Sequence, residues 1–172
     1  MAKELCLHVN NIEMDYITFG KGAKTLIMIQ GLNTNGIKGA ATGLAYMYRL
    51  FAKEYTVYLF DRRKDLKEGV TVRELAADIA LAMDTLGIKK ADVFGVSQGG
   101  MIAQYLAIDR PDLVHRMVLA VTLSRNNSTV KKVVENWIHL TEKADWKELV
   151  LDMTYKMYSD AYVKKYQFFY HC

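Results

Sequence analysis

The chain has 172 residues, of which 51% are hydrophobic, and this is enough for one sizeable core but short for two. Its net charge of +4 comes from Lys and Arg residues scattered over every segment, which indicates a solvated surface and argues against a nucleic-acid partner. Cys6 and Cys172 lie at opposite ends without C-x-x-C spacing, so we expect a reducing compartment, no metal site and no disulfide framework.

The N-terminal segment predicts an antiparallel hairpin. It carries no apolar signal region, and the chain holds no run of 18 uncharged apolar residues, so we expect a soluble cytoplasmic protein with no membrane partner. Residues 5–9 and 12–19 flank Asn10-Asn11, and the second segment alternates apolar and polar residues with the period of a half-buried strand. His8 falls on the edge strand, where we expect it at the surface.

Strands and helices alternate over the next part of the chain. Residues 25–29 form a short apolar run that ends in Gln30-Gly31, which is typical of a strand buried on both faces. Helical spacing over 44–53 precedes a second apolar run at 55–60, which Asp61-Arg62-Arg63 ends. The alternation predicts an α/β fold with a mostly parallel sheet.

A capping box marks the start of the following helix. The Thr71 oxygen and the Glu74 carboxylate can each accept a hydrogen bond from the other residue's backbone N–H. An apolar stripe with helical spacing follows, and Gly87 ends the helix. Later in the chain, the apolar run from Met117 to Leu123 predicts a further strand.

Between these elements lies a strand, a tight turn and a helix that match the G-x-S-x-G nucleophile elbow. A serine on such a turn is strained and needs neighbours without Cβ atoms, here Gly95 and Gly99. The backbone N–H of Gln98, at the helix N-terminus, points at any oxyanion formed there. Ser97 is therefore the candidate nucleophile. The alternative is that these glycines form only a strand–helix turn, for example a phosphate-binding one.

The C-terminal part predicts helices only. Ser128 is suited to cap the first of them, and Asp145 with Glu148 makes a second capping box before the next. A third amphipathic helix follows. Three consecutive helices after an alternating base indicate an insertion or cap, so we divide the chain into a core at residues 1–124 and an incomplete helical cap at 125–172.

These motifs together resemble the α/β-hydrolase family, specifically its esterase, lipase and lactonase-like members with a helical cap. The resemblance covers nearly all of residues 5–124, including Ile29-Gln30-Gly31, Leu59-Phe-Asp-Arg-Arg63 and the elbow. It implies that Ser97 is the nucleophile and that the backbone N–H of Leu32 is the second oxyanion donor. Family members usually have His-Gly where this chain has Gln30-Gly31, and because that histidine is not the base, the donor is kept.

The resemblance also implies an acid and a base for which this chain offers no convincing candidate. Family members carry them after the cap, in the order Ser, Asp or Glu, His, and no strand-like run follows Leu123, so the last two strands are missing. His115 precedes the final strand, which puts it about 17–20 Å from Ser97 at the opposite end of the sheet. Only His139 and His171 remain, and an isolated helical histidine is usually a surface or packing residue.

We therefore expect a serine hydrolase without a cofactor, in which Ser97 attacks a small-molecule carboxylic ester or similar acyl bond while Gln98 and Leu32 hold the oxyanion. Serine at the elbow argues against dehalogenases and epoxide hydrolases, where the resemblance leads us to expect aspartate. Acyl transfer, peroxidase and C–C cleavage chemistry stay open. The alternative is a non-catalytic binding or interaction protein on a partial hydrolase scaffold.

The missing strands also predict an exposed sheet edge. The run from Met117 to Leu123 would lie at that edge, and it contains neither proline nor charge, the devices that usually protect an edge strand. We therefore expect that the chain either forms a homo-oligomer by pairing this edge across a two-fold axis or is part of a longer native chain.

Overall fold

Six strands pair into one mixed, mostly parallel sheet in this computed structural model, which describes residues 2–33 and 36–170. The sheet order is β1-β2-β4-β3-β5-β6, where the strands are β1 (Lys3–Val9), β2 (Ile12–Phe19), β3 (Lys24–Ile29), β4 (Tyr55–Arg63), β5 (Ala91–Val96) and β6 (Val114–Ala120). The helices are α1 (Ala41–Met47), α2 (Val72–Thr85), α3 (Gln98–Asp109), α4 (Ser128–Glu142), α5 (Trp146–Met157) and α6 (Asp160–Tyr170), with a short 3-10 helix at Phe51–Lys53. The predicted α/β class is confirmed.

The N-terminal hairpin is present where the alternating pattern predicts it. β1 and β2 are antiparallel, with Val9 opposite Ile12, and Asn10 takes a left-handed φ of 51° in the turn. Asparagine tolerates this conformation better than most residues because its short polar side chain can bond locally. The hairpin is joined to the parallel strands through antiparallel pairing of β2 with β4.

The sheet has an apolar core on each face, as two-sided burial of the inner strands requires. One core joins strand residues such as Ile27, Ile29 and Phe60 to α2 and α3. The other joins Leu26 and Met28, which alternate with the first set along β3, to α1 and the loop before it. The two-residue period of a strand therefore divides β3 between both cores.

Three predicted boundaries are wrong in this region. The helix predicted at 44–53 begins earlier, at Ala41, whose backbone N–H donates to the Glu4 carboxylate at 2.9 Å, and it ends at Met47. The second parallel strand runs on to Arg63, because its last residues pair with β2, where Met14 lies opposite Arg63. The helix start and the strand end are both set by contacts with the hairpin, which is remote in sequence and leaves no trace in the local periodicity.

The capping box of α2 is confirmed. The Glu74 N–H donates to the Thr71 hydroxyl at 3.2 Å, and the Thr71 N–H donates to the Glu74 carboxylate at 2.7 Å. These two hydrogen bonds satisfy donors that have no acceptor within the helix. The helix then ends before Gly87, which has the left-handed φ of 70° expected after a helix terminus.

The strand predicted from Met117 to Leu123 lies three residues earlier, at Val114–Ala120. Its pairing with β5 sets these bounds, and Val121, with a φ of 45°, turns the chain away. β6 pairs on one side only and is an edge of the described sheet, where charged residues such as Arg116 are tolerated. The apolar run therefore does not predict the bounds of this strand.

The chain divides into two units, Met1–Ser124 and Arg125–Cys172. In the second unit, the cap of α4 is Asn127 and not Ser128, since the Asn127 side-chain oxygen accepts the Val130 N–H at 2.9 Å. Asp145 caps α5 by accepting the Glu148 N–H at 3.2 Å, but the predicted capping box is only half formed, because the Asp145 N–H donates to the Leu140 carbonyl and not to Glu148. Among the described residues, no helix combines the length and apolar content needed to cross a membrane.

Candidate active site

Ser97 occupies a strained junction between β5 and α3. Its φ of 53° and ψ of −121° lie far from the conformations that a residue with a Cβ prefers, as expected for a nucleophile elbow. Neighbouring groups fix this conformation, since the Ser97 N–H donates to the Ala120 carbonyl at 3.0 Å and the Thr122 hydroxyl donates to the Ser97 carbonyl at 2.7 Å. The residue is exposed. The expected backbone strain is thus confirmed, while the nucleophilic role stays a prediction.

The elbow glycines are required by backbone packing. A Cβ on Gly95 would lie 2.6 Å from the Gly99 carbonyl oxygen, and a Cβ on Gly99 would overlap the carbonyl oxygen of Ile29. A Cβ on a third glycine, Gly100, would lie 2.6 Å from the Thr122 side chain. The first turn of α3 therefore lies directly against the end of β3.

The loop after β3 runs beside the Ser97 hydroxyl. A Cβ on Gly31 would lie 3.2 Å from the Ser97 Cβ and 3.7 Å from its Oγ. Leu32 follows in this loop and is 74% exposed. Gln98 is the first residue of α3, a position whose backbone N–H has no acceptor within the helix. Both predicted oxyanion donors thus belong to segments that meet at Ser97.

Arg62 joins these two segments, a role that the sequence analysis missed. Its Nη2 donates to the Gln30 carbonyl at 2.8 Å and to the Gln98 side-chain oxygen at 3.0 Å. Its Nη1 is buried and has no hydrogen-bond partner among the described residues, and burial lowers the pKa of this guanidinium. The sequence showed only that a charged residue follows an apolar run, which is common at strand ends.

Asp61 fixes the far side of the same loop. One of its carboxylate oxygens accepts the Ile37 N–H at 2.9 Å, and the other accepts the Arg62 N–H at 2.9 Å and the Gln30 side-chain amide at 3.4 Å. A carboxylate with several N–H donors holds its neighbours in one arrangement. The β3 loop is therefore bound by both Asp61 and Arg62.

A cavity of about 510 Å³ lies beside the elbow. Its walls include both segments with the predicted oxyanion donors, through Leu32 and Gln98, but the exposed Ser97 is not part of its lining. The cavity also carries an excess of cationic side chains, which are Lys38, Arg62, Arg63, Lys64 and Lys67 against Asp15 and Asp61.

The histidines of the first unit lie away from Ser97. His115 is at the start of β6, where its Nδ1 is 2.7 Å from the carboxylate of Asp92, five residues before Ser97 on β5. At about 3.3 Å per strand residue, this places it at the opposite end of the sheet, as predicted. His8 is exposed on the hairpin. His139 belongs to the second unit, and His171 lies outside the described residues.

Several known proteins are similar to this chain over most of its length. A family model described as "alpha/beta hydrolase fold" matches residues 24–152. The 3-oxoadipate enol-lactonase 2 of Acinetobacter baylyi is 28% identical over 125 residues, which cover 69% of this chain and 45% of the relative. The dihydrolipoyllysine-residue acetyltransferase component of the acetoin cleaving system of Cupriavidus necator is 26% identical over 147 residues, which cover 83% of this chain and 38% of the relative.

Solved structures share the fold. The alpha/beta hydrolase MGS-M2, from a Medee basin deep-sea metagenome library, matches with a TM-score of 0.83 at 16% identity, covering 96% of this chain and 61% of that protein. The epoxide hydrolase CorEH matches with a TM-score of 0.65 at 22% identity, covering 87% of this chain and 56% of that protein. Identities this low show a common fold alone. The chain spans less than half the length of the curated relatives described above.

The family match begins at the first residue of β3 and extends into α5, so it includes the β3 loop, the elbow and most of the sheet. The sheet order, the strained Ser97 and its glycines agree with this match. The resemblance inferred from the sequence is thus confirmed, and the chain belongs to the α/β-hydrolase fold family.

Proposed function

We propose that this chain carries the nucleophile and oxyanion-binding part of a serine hydrolase that acts on a carboxylic ester or a similar acyl bond. The observation that carries the proposal is the geometry at Ser97. This residue has a positive φ between a strand and a helix, and the loop with Gly31 lies beside its Oγ. In this role Ser97 attacks the substrate carbonyl, and the N–H groups of Gln98 and Leu32 stabilise the negative oxygen of the tetrahedral intermediate.

The names of two relatives support acyl chemistry. The enol-lactonase is named for a lactone, which is a cyclic ester, and the acetyltransferase component is named for transfer of an acyl group. Both reactions pass through attack on a carbonyl carbon, for which an oxyanion hole is suited. Hydrolysis and acyl transfer then differ only in whether water or another nucleophile resolves the acyl-enzyme.

A second candidate function is a binding protein without turnover. It is favoured by one observation, which is that neither His8 nor His115 in the first unit lies near Ser97. A serine hydroxyl is a weak nucleophile without a base, so loss of the base leaves only about 10³- to 10⁴-fold over water from the oxyanion hole and binding. We therefore expect short p-nitrophenyl esters to be hydrolysed by the 172-residue chain at a rate near background.

A boronic acid separates the two functions without requiring turnover. Ser97 Oγ would bond to boron and release a proton, giving a tetrahedral anion that occupies the place of the intermediate. We expect phenylboronic acid to give a tetrahedral signal in boron NMR that is lost in Ser97→Ala and kept in the control Ser124→Ala. A binding protein without a nucleophile would give no tetrahedral signal, or one that Ser97→Ala does not change.

A further inference from the structure

The outer face of the hairpin brings together three side chains that bind metals. Cys6 and His8 are two residues apart on β1 and so point to the same face, and Glu13 lies directly opposite His8 on β2. The intervening Leu7, on the other face, is buried in the core. The pairing of the two strands therefore brings the three side chains together on one face of the hairpin.

The donor atoms of this cluster lie within a few tenths of an ångström of the separations that a tetrahedral ion needs. The Cys6 Sγ lies 3.4 Å from Glu13 Oε1 and 3.9 Å from His8 Nε2, and the last two atoms are 3.6 Å apart. Ligands at zinc distances, about 2.3 Å for sulfur and about 2.0–2.1 Å for nitrogen or oxygen, lie roughly 3.4–3.6 Å from each other. Among the described residues, this is the one group of three such donors.

A cation already occupies the edge of the cluster. The Lys64 ammonium is 2.5 Å from Glu13 Oε1, 3.1 Å from Asp15 Oδ1 and 3.7 Å from the Cys6 Sγ. Its side chain is 43% exposed, so it can swing into solvent on its flexible stem when a stronger cation arrives. The environment thus attracts positive charge, and Lys64 competes for it.

Although the spacing of the two cysteines predicts no metal site, we propose that Cys6, His8 and Glu13 bind zinc, or a cation of similar preference, and so connect β1 to β2 at the outer face of the hairpin. One sulfur, one imidazole nitrogen and one carboxylate oxygen match the ligands that zinc prefers. Three protein ligands leave the fourth position for water. This site is separate from Ser97, and the proposal does not depend on the proposed hydrolase function.

Binding must displace a proton from the cysteine. Partial desolvation and hydrogen bonds to Asp15 and Glu13 raise the pKa of the Cys6 thiol to about 11, so the thiol is protonated at neutral pH. The thiolate is the metal ligand, and one proton leaves for each ion bound.

Cobalt(II) provides a direct test, because a thiolate bound to it absorbs in the near ultraviolet and a tetrahedral site absorbs in the visible. The protein is the untagged chain with Cys172→Ser, which leaves Cys6 as its one thiol. We expect one cobalt ion per chain, displaced by zinc. Cys6→Ser should abolish the ultraviolet band, and His8→Gln or Glu13→Gln should weaken binding by at least about tenfold.

Two further variants separate this site from adventitious binding. Lys64→Met should tighten cobalt binding by about fivefold, because it removes the competing cation. The control is His115→Gln, since His115 is also an exposed histidine beside a carboxylate but lacks the third donor, and it should bind cobalt like the parent. The proposal is wrong if no band appears at millimolar cobalt, or if any one of the three ligand variants binds like the parent.

Discussion

At the scale of single residues, the site depends on glycines, whose missing Cβ atoms leave room for close backbone packing. Gly31, Gly95 and Gly99 allow the end of β3, the end of β5 and the first turn of α3 to meet at Ser97. The strain at Ser97 is held by ordinary hydrogen bonds to Ala120 and Thr122. Ser97, which is exposed, therefore lies on a rigid junction, and the proposed nucleophilic role requires such a junction.

This packing predicts a large difference between two helical glycines. In Gly99→Ala, the new methyl group would overlap the Ile29 carbonyl oxygen, a backbone atom that cannot swing aside, so unfolding free energy should fall by about 1–3 kcal/mol. Among the described residues, no atom outside the local backbone of α1 lies within 4 Å of the Cβ position of Gly43, so Gly43→Ala should raise stability by about 0.5–1 kcal/mol. Urea unfolding measures both. Equal effects of the two variants would show that β3 and α3 are less tightly packed than described.

At the scale of elements, the features that could be predicted are the local ones. The hairpin and the capping box at Thr71 depend on residues a few positions apart, so both partners of each contact lie within one short window of the sequence. The start of α1 at Ala41 and the register of β6 depend on Glu4 and on β5, which are remote in sequence. The same reason explains the candidate site, where the elbow was predictable and Arg62 was not.

One ion pair between elements should contribute far more to stability than another of the same geometry. Arg63 on β4 binds the carboxylate of Asp78 on α2 through both Nε and Nη2, and Asp78 is 3% exposed. Arg73 on α2 makes the same bidentate contact with Asp109 on α3, but the Arg73 side chain is 63% exposed. Burial thus distinguishes two otherwise similar pairs.

Asp78→Ala would leave the Arg63 guanidinium half-buried and without its partner. Removing one member of a fully buried pair costs about 3–5 kcal/mol. Because 26% of the Arg63 side chain stays in contact with water, we expect a loss of about 2–3 kcal/mol. The control Asp109→Ala should change the urea midpoint little, since exposed pairs contribute little. Similar midpoints for the two variants would contradict this assignment.

At the scale of the whole molecule, β6 is the element whose surroundings matter most. It pairs only with β5 in the described sheet, and its apolar side chains are exposed, Val118 at 57% and Leu119 at 41%. The run from Met117 to Leu123 carries no charge, but the observed strand begins earlier and so includes Arg116. One charge near its start protects little of a seven-residue strand, and the unpaired N–H and C=O groups remain available to another strand.

We therefore expect the 172-residue chain to self-associate through β6, with two copies antiparallel across a two-fold axis and the sheet continuous between them. Sedimentation velocity at several concentrations should show a dimer that dissociates on dilution. Val118→Lys places a second charge on the edge and should weaken the dimer by at least about tenfold, since charged side chains on an edge oppose strand pairing. Val150→Lys on α5 is the control, because Val150 is 52% exposed and lies in the other unit. A chain that stays monomeric at high concentration, or a dimer that both variants weaken equally, would show that β6 is not the contact.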